Sequence, residues 1–515
     1  MRPQKNQLIF FRNNFPFTEI VEEYFMMVKY VVVGGGIAGV TCVETLSSLC
    51  PEEEILLVTA SPLIKAITNY KKITKTLEDF DVEERSIISL QSECVNVKVI
   101  QKSLHSLNAK SHVIKLSDGE EVHYQKLCLC TGGRPKLITD NNPYVLGIRD
   151  TESVKEFQKR LSKARRIMVV GNGGIATELI YEVEGCEVVW AIKDRSISST
   201  FVDPGAGEFF MSELNKKKET REEAPSKRLK YTVEDVETES SKSTAMGGAL
   251  GPDWSAELSM TGTQKISHCV TVEKCVEVRY VLTREEFVSS EKSSTDLSGN
   301  VDQGKCNCWM WPVYVELTND KVYGCDLLVS ATGVVPNTSP VLTGNQFTLA
   351  EDGGIRVNDK MRTSEDDVYA AGDVCTASWE PAQHWLQMRL WSQARQMGAY
   401  AGQYMVADFN SQPISLDFCF EVFAHVTTFL NYKVILLGKF NAQGLGSDYE
   451  ILLRVTKGSE YVKVVLRDGR MEGAILIGET DLEETFENLI LNQIDLTPIK
   501  EDLLDPNIDI EDFFD

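Results

Sequence analysis

The chain has 515 residues, 43% of them hydrophobic and 25% charged, which is the profile of a globular protein with room for two or three domains. A formal net charge of −23 argues against direct nucleic-acid binding by the chain as a whole, and no run reaches the roughly 18 apolar residues that a membrane-spanning helix needs. Thirteen cysteines are scattered without C-x-x-C or zinc-like spacing, so a reduced protein without a metal site is expected.

Residues 1–27 form a leader. Arg2, Lys5 and Arg12 make its start basic, but Glu19, Glu22 and Glu23 do not fit a transit peptide. The stable domain is expected to begin at residue 28, with the leader disordered or bypassed by an alternative start at Met26 or Met27.

Residues 28–49, VKYVVVGGGIAGVTCVETLSSL, read as a buried strand, a tight turn and a helix. Gly34, Gly36 and Gly39 give G-x-G-x-x-G. The first glycine permits the turn, the second lets a pyrophosphate approach the backbone, and the third lets helix and strand pack closely. The next strand, ILLVTASP at 55–62, ends in Thr59, Ala60 and Ser61, where an acid usually binds the ribose. A hydroxyl or backbone groups must serve instead.

The pattern recurs at 165–194, RRIMVVGNGGIATELIYEVEGCEVVWAIKD. Here Gly171, Gly173 and Ala176 give G-x-G-x-x-A, the mark of a second dinucleotide site. Its closing strand ends with Ile192 and Lys193 before Asp194, so both signs of charge stand together and NADH is not separated from NADPH. Three further stretches follow the same logic: LCLCTGGRP with Thr131 and Gly132, DLLVSATGVVPN with Gly333, and VYAAGDVC with Gly372 and Asp373.

In this order the motifs resemble the two-dinucleotide-binding-domain flavoproteins, the pyridine nucleotide-disulphide oxidoreductase superfamily, over roughly residues 28–410. The resemblance implies an α/β fold with two Rossmann-like domains. An FAD-binding domain (28–150 and 326–411) would carry an inserted NAD(P)-binding domain (151–325). A C-terminal α+β domain of the interface type (412–500) and an acidic tail (501–515) would follow. It also implies that Gly34, Gly36 and Gly39 hold the FAD pyrophosphate and that Asp373 meets the flavin's ribityl or phosphate side. Gly171, Gly173 and Ala176 would hold the nicotinamide nucleotide, and Glu178 would lie near nicotinamide and flavin. A closer resemblance within the superfamily is carried by NPYVLGIRD, VVGNGGIATEL, ALGPDW, QMRLWSQARQMG and LLDPNIDIEDFFD. It implies an FAD-dependent NAD(P)H oxidoreductase of nucleus and cytoplasm, acting in redox homeostasis and the oxidative-stress response, with the tRNA-splicing ligase complex as a partner.

Residues 61–80, SPLIKAITNYKKITKTLEDF, pose the main question. Disulphide reductases of the superfamily place a helix near here with a C-x-x-x-x-C pair at the flavin. This chain has no cysteine from 51 to 93. Cysteine-free relatives, of the apoptosis-inducing-factor and ferredoxin-reductase types, place a lysine near flavin N5. Ile73-Thr74-Lys75 resembles that motif and Lys65 is a rival; either is expected to bond Glu178 and tune the flavin. Cys128 and Cys130, on one side of a strand, are the remaining dithiol candidate, although buried cysteines are common.

Within the second domain, residues 201–217 suggest a helix, and polar insertions are expected at 218–262 and 286–308. KRLK in the first insertion is a candidate import fragment. Two strand-rich runs with a turn at Asp468-Gly469, then the helical DLEETFENLILNQI, fill the C-terminal domain. His425 lacks the neighbours of a catalytic histidine and reads as a core or surface residue. The acidic tail could dock through Leu503, Ile508, Ile510 and Phe513. After A-G-D, the helix containing Trp391, Ala394 and Met397 should begin near the flavin pyrimidine, where its dipole favours negative charge. The expected chemistry runs from NAD(P)H through FAD to an unknown external acceptor: oxygen, a quinone or a protein. The alternative is a redox-sensing protein whose long-lived reduced-flavin/NAD complex controls partner binding.

Overall fold

The computed structural model describes residues 27–214, 259–265, 269–290, 292–295, 311–506 and 510. The leader before residue 27, most of both polar insertions with KRLK and ALGPDW, and the end of the tail lie outside the described residues.

The first domain is built on β1 (Met27–Val33), whose β-branched run is almost wholly buried, followed by α1 (Ile37–Leu49) and β2 (Ile55–Thr59). Then come a hairpin, β3 (Leu63–Lys72) and β4 (Glu78–Ser86), α2 (Ile87–Glu93), β5 (Val97–Gln101), β6 (Leu104–Asn108), β7 (Val113–Leu116) and β8 (Glu121–Leu129). The sheet runs β5-β2-β1-β8-β7-β6 with parallel pairing from β5 to β8, and a late strand, Val368–Ala370, joins β8.

A short strand, β9 (Gly133–Pro135), leads to the second domain: β10 (Val145–Gly147), α3 (Thr151–Leu161), β11 (Arg166–Val170), α4 (Gly174–Glu182), β12 (Glu187–Ala191), α5 (Pro204–Leu214) and β13 (Cys269–Glu273). A side sheet of β14 (Val278–Thr283), β15 (Val313–Leu317) and β16 (Val322–Cys325) follows, with α6 (Arg284–Ser289) between its first two strands. Then β17 (Leu327–Ser330) completes an all-parallel sheet of order β10-β17-β11-β12-β13. The chain returns through β18 (Val334–Pro336), antiparallel to β9. It continues through α7 (Ser339–Leu342), β19 (Ile355–Val357), β20 (Val368–Ala370), β21 (Cys375–Ala377) and α8 (Trp391–Phe409).

The C-terminal domain is an antiparallel sheet: β22 (Ala424–Phe429), β23 (Tyr432–Gly438), β24 (Glu450–Thr456), β25 (Glu460–Arg467) and β26 (Arg470–Ile477), in the order β22-β23-β26-β25-β24, with α9 (Glu483–Asn492) after it. Asp468 and Gly469 both have positive φ (50° and 72°), as a two-residue hairpin turn requires. One face of this sheet shares a core with the second domain, where Phe201, Phe209 and Phe210 meet Phe423, Phe429 and Tyr461. The other face carries α9, and the tail docks there through buried Leu503 and Ile510.

Two expectations need correction. The helix expected from residue 201 begins at 204, because Asp203 accepts from the N–H groups of Gly205 and Ala206 and so starts it; its expected last residues, 215–217, lie outside the described residues. The 61–80 stretch is a hairpin, not a helix. Buried Ile64 and Ala66 alternate with more exposed residues on β3, as do Phe80 and Val82 on β4, which is the period of a strand. Phe80 and Val82 pack on Ile37 and Trp391, the first residues of α1 and α8.

The hairpin tip reaches the C-terminal domain. Ile73 and Leu77 enter its core. The fully buried Glu487 carboxylate accepts the backbone N–H groups of Lys75 (3.0 Å) and Thr76 (2.8 Å) and the Thr76 hydroxyl. Replacing Glu487 with Leu leaves these donors buried without acceptors. Stability should fall by about 3 kcal/mol, read as a lower urea midpoint with unchanged slope; a shift within error would show that the contact is dispensable.

Candidate functional site

The two glycine turns have matched geometry. Gly34 has φ +125° and Gly171 φ +129°; a Cβ on either would lie 2.1 Å from a carbonyl oxygen, of Cys130 and of Ala331 respectively. Only glycine fits such a position. A Cβ on Gly39 would lie 1.8 Å from the Gly34 carbonyl oxygen, so this glycine lets α1 press on the turn. Ala176 is fully buried at the corresponding place on α4. The middle glycines differ from these. At Gly36 and Gly173 an added Cβ meets nothing within 4 Å, so each leaves room for a group to approach the backbone. Each is also the N-cap of its helix without a side-chain cap, which leaves the first N–H groups of α1 and α4 to a ligand. This arrangement fits two pyrophosphates.

The first cradle is completed by chain segments distant in sequence. The Thr131 hydroxyl donates to the Asn337 carbonyl at 2.8 Å, and the Asn337 amide returns a bond to the Thr131 carbonyl at 3.0 Å. Asn337 N–H also donates to the Gly132 carbonyl, and Gly132 has φ +66°. Gly333, with φ +99°, accepts from Lys136 N–H and so fixes the matching turn. Gly372 has φ +78° and brings Asp373 under α1, where a Cβ on Gly372 would lie 2.9 Å from that of Ala38. Asp373 accepts from Arg149 Nη1 at 3.4 Å, and its carbonyl accepts from Arg389 Nε at 2.9 Å. Arg149 and Asn337 were not anticipated from the sequence. Both stand inside quoted motifs, GIRD and GVVPN, but nothing local marks them.

The three candidate catalytic residues stand on different elements, Lys65 on β3, Lys75 at the tip of the hairpin and Glu178 on α4. Lys65 is half-buried on β3, and its N–H donates to the Gly35 carbonyl at 2.9 Å. Burial and then the neighbouring Arg149 cation lower the Lys65 pKa, with Glu84, Asp150 and Asp373 opposing them in part. Lys65 therefore belongs to the group at the mouth of the first cradle. Lys75 does not join it. Its exposed side chain donates to Asn488 Oδ1 on α9 at 3.0 Å, because the hairpin tip turns toward the C-terminal domain. Glu178 lies on α4 one turn beyond Gly174, a glycine that faces Phe201 and Phe429.

α8 begins at Trp391 behind the Gly372 turn with no side-chain cap, so its positive end is directed at this region. Behind it, His425 is buried and its Nδ1 lies 3.1 Å from Ser392 Oγ. Burial lowers its pKa to about 3, so it is a neutral core histidine across the neutral pH range. Cys128 and Cys130 are also buried, with sulfurs 3.6 Å apart. Hydrogen bonds with Cys130 and Cys42, then burial, push the Cys128 thiol well up, which disfavours the reactive thiolate. All cysteines among the described residues are free thiols.

Comparison with known proteins places this geometry. Residues 28–238 and 295–398 match the pyridine nucleotide-disulphide oxidoreductase family, and residues 427–494 match the rubredoxin NAD+ reductase C-terminal domain. A mouse protein, pyridine nucleotide-disulfide oxidoreductase domain-containing protein 1, is 59% identical over 94% of this chain and 98% of its own. Two solved structures share the fold at low identity. The putidaredoxin reductase of a covalent complex with putidaredoxin is 14% identical, with TM-score 0.61 over 95% of this chain and 98% of its own. The ferredoxin reductase for the CYP199A2 system of Rhodopseudomonas palustris is 16% identical, with TM-score 0.61 over 95% and 99%. The chain belongs to the pyridine nucleotide-disulphide oxidoreductase family. It is an oxidoreductase whose cofactors are FAD and NAD(P)H.

Proposed function

We propose that this member of the pyridine nucleotide-disulphide oxidoreductase family passes electrons from NAD(P)H through FAD to an external acceptor, without a protein dithiol between them. The observation that carries this reading is the pair of matched glycine cradles beside a hairpin that holds no cysteine where a dithiol would stand. The bound flavin supplies the two-electron relay between nicotinamide and acceptor.

The chain's own residues bind and orient. Gly36 with the α1 N-terminus holds the FAD pyrophosphate, and Gly173 with the α4 N-terminus holds that of the nicotinamide nucleotide. Thr131, Gly132 and Gly333 fix the crossover that joins the two domains, and Asp373 meets the flavin's ribityl or phosphate side. Lys65 and Arg149 bring positive charge to the flavin site, and the α8 dipole favours negative charge on the pyrimidine. Glu178 closes the nicotinamide side.

A protein acceptor is favoured, because the C-terminal domain matches that of rubredoxin NAD+ reductase and one structural neighbour is a reductase bound to putidaredoxin. The wider role proposed is redox homeostasis and oxidative-stress defence in nucleus and cytoplasm, with the tRNA-splicing ligase complex as one partner.

Anaerobic titration tests the electron count. One equivalent of NAD(P)H per FAD should bleach the flavin completely, with or without prior thiol alkylation. The variant carrying Cys128→Ser and Cys130→Ser should be reduced at a near wild-type rate. Uptake of two equivalents, with a long-wave thiolate–flavin band at the midpoint, would overturn the reading.

A further inference from the structure

Asn172, between the first two glycines of the second turn, staples the loop that follows β12. Its side-chain amide donates to Asp194 Oδ2 (2.8 Å), the Ser196 carbonyl (2.9 Å) and Ser199 Oγ (2.8 Å), and its oxygen accepts from Ser198 N–H at 2.6 Å. The Ser199 hydroxyl donates to the same Asp194 oxygen at 2.7 Å. Burial alone would raise the Asp194 pKa, but the bonds from Asn172 and Ser199, with Lys193 nearby, hold it below the usual carboxylate range. Asp194 therefore serves the loop as a charged acceptor.

The end of the second strand is where an acid, in NAD-binding folds, grips the ribose hydroxyls. Here that place is taken by Ile192, which is fully buried and donates its N–H to the Glu273 carbonyl at 2.9 Å. The exposed residues are the two cations on either side of Asp194, Lys193 and Arg195. Their position is fixed beside the glycine turn: Val170 pairs with Ala191, and Gly171 N–H donates to the Ala191 carbonyl at 3.2 Å. The adenosine ribose of a nucleotide in this cradle lies at that edge.

We propose that the second site takes the 2′-phosphorylated nucleotide, NADPH, with Lys193 and Arg195 as the residues that recognise the phosphate. This rests on the assignment of the second cradle to the nicotinamide nucleotide. An arginine fork matches a phosphate's paired oxygens, and a lysine adds a point charge. Both cations are exposed, so the preference is salt-sensitive.

Calorimetric titration of the FAD-loaded protein with 2′,5′-ADP and with 5′-AMP tests the proposal without requiring turnover. At low salt 2′,5′-ADP should bind tighter by about tenfold or more, an advantage that shrinks as salt is added. Lys193→Glu with Arg195→Glu should erase that advantage and leave 5′-AMP affinity within about twofold, since these side chains are exposed and the cradle is untouched. Binding of 5′-AMP as tight as, or tighter than, 2′,5′-ADP overturns the proposal and leaves the cradle assignment standing. A double variant with an unchanged ratio does the same. If neither fragment binds while FAD remains, the cradle assignment itself falls.

Discussion

Gly36→Glu is expected to yield folded protein that purifies without flavin. Gly36 has φ −78° and ψ 179°, extended backbone that any residue adopts, and an added Cβ meets nothing within 4 Å. The glutamate side chain therefore projects into the cradle and brings a negative charge against the pyrophosphate. Two unit charges about 4 Å apart near a protein surface repel by about 4 kcal/mol, which at about 1.4 kcal/mol per decade lowers affinity about a thousandfold. The neighbouring glycines would not give so clean an answer. At Gly34 and Gly39 a Cβ would lie 2.1 Å and 1.8 Å from backbone oxygens, so variants there would report damage to the turn. The measurement is visible absorbance of the purified variant, with far-UV circular dichroism to show that it is folded. Full flavin occupancy would refute the assignment of the first cradle.

The cradles were legible because their chemistry is local: the six residues of each motif, 34–39 and 171–176, fix positive φ, close approach and an open helix end together. The same holds for the Asp468-Gly469 turn and for His425, which lacks the neighbours of a catalytic histidine in sequence and is a buried, neutral ring. What was not legible depended on contacts across the chain. Lys75 looked like a flavin lysine from its tripeptide, yet its backbone is held by Glu487, 412 residues away. Arg149 carries no local signal, and it becomes part of the site only through Asp373, 224 residues on. The 61–80 hairpin, by contrast, has a local signal. The alternation of Ile64 and Ala66, repeated by Phe80 and Val82, is a strand pattern that the sequence did carry. The tail was ambiguous because a short acidic segment with spaced apolar residues suits both solvent and docking; Leu503 and Ile510 are buried because the α9 side of the sheet leaves apolar surface to cover.

Gly173→Glu is expected to separate the two sites. Gly173 is extended (φ −94°, ψ −174°), and an added Cβ again meets nothing within 4 Å, so the variant should fold. Ala176→Glu is the less informative choice. Ala176 is fully buried, and a carboxylate there costs several kcal/mol before any nucleotide is considered. In the Gly173 variant the carboxylate meets the nicotinamide nucleotide's pyrophosphate with the same repulsion of about 4 kcal/mol. The first cradle is formed by other segments, so FAD should remain at full occupancy. Flavin reduction at subsaturating NAD(P)H should then slow about a thousandfold by the same conversion, while dithionite should still bleach the flavin at once. That contrast excludes a damaged flavin site as the cause. Stopped-flow absorbance under anaerobic conditions reads both rates on one sample. A variant that lost FAD but kept normal reduction by NAD(P)H after reconstitution would show that the cradles had been assigned in reverse. One that kept both would show that the second cradle does not hold the nucleotide's pyrophosphate.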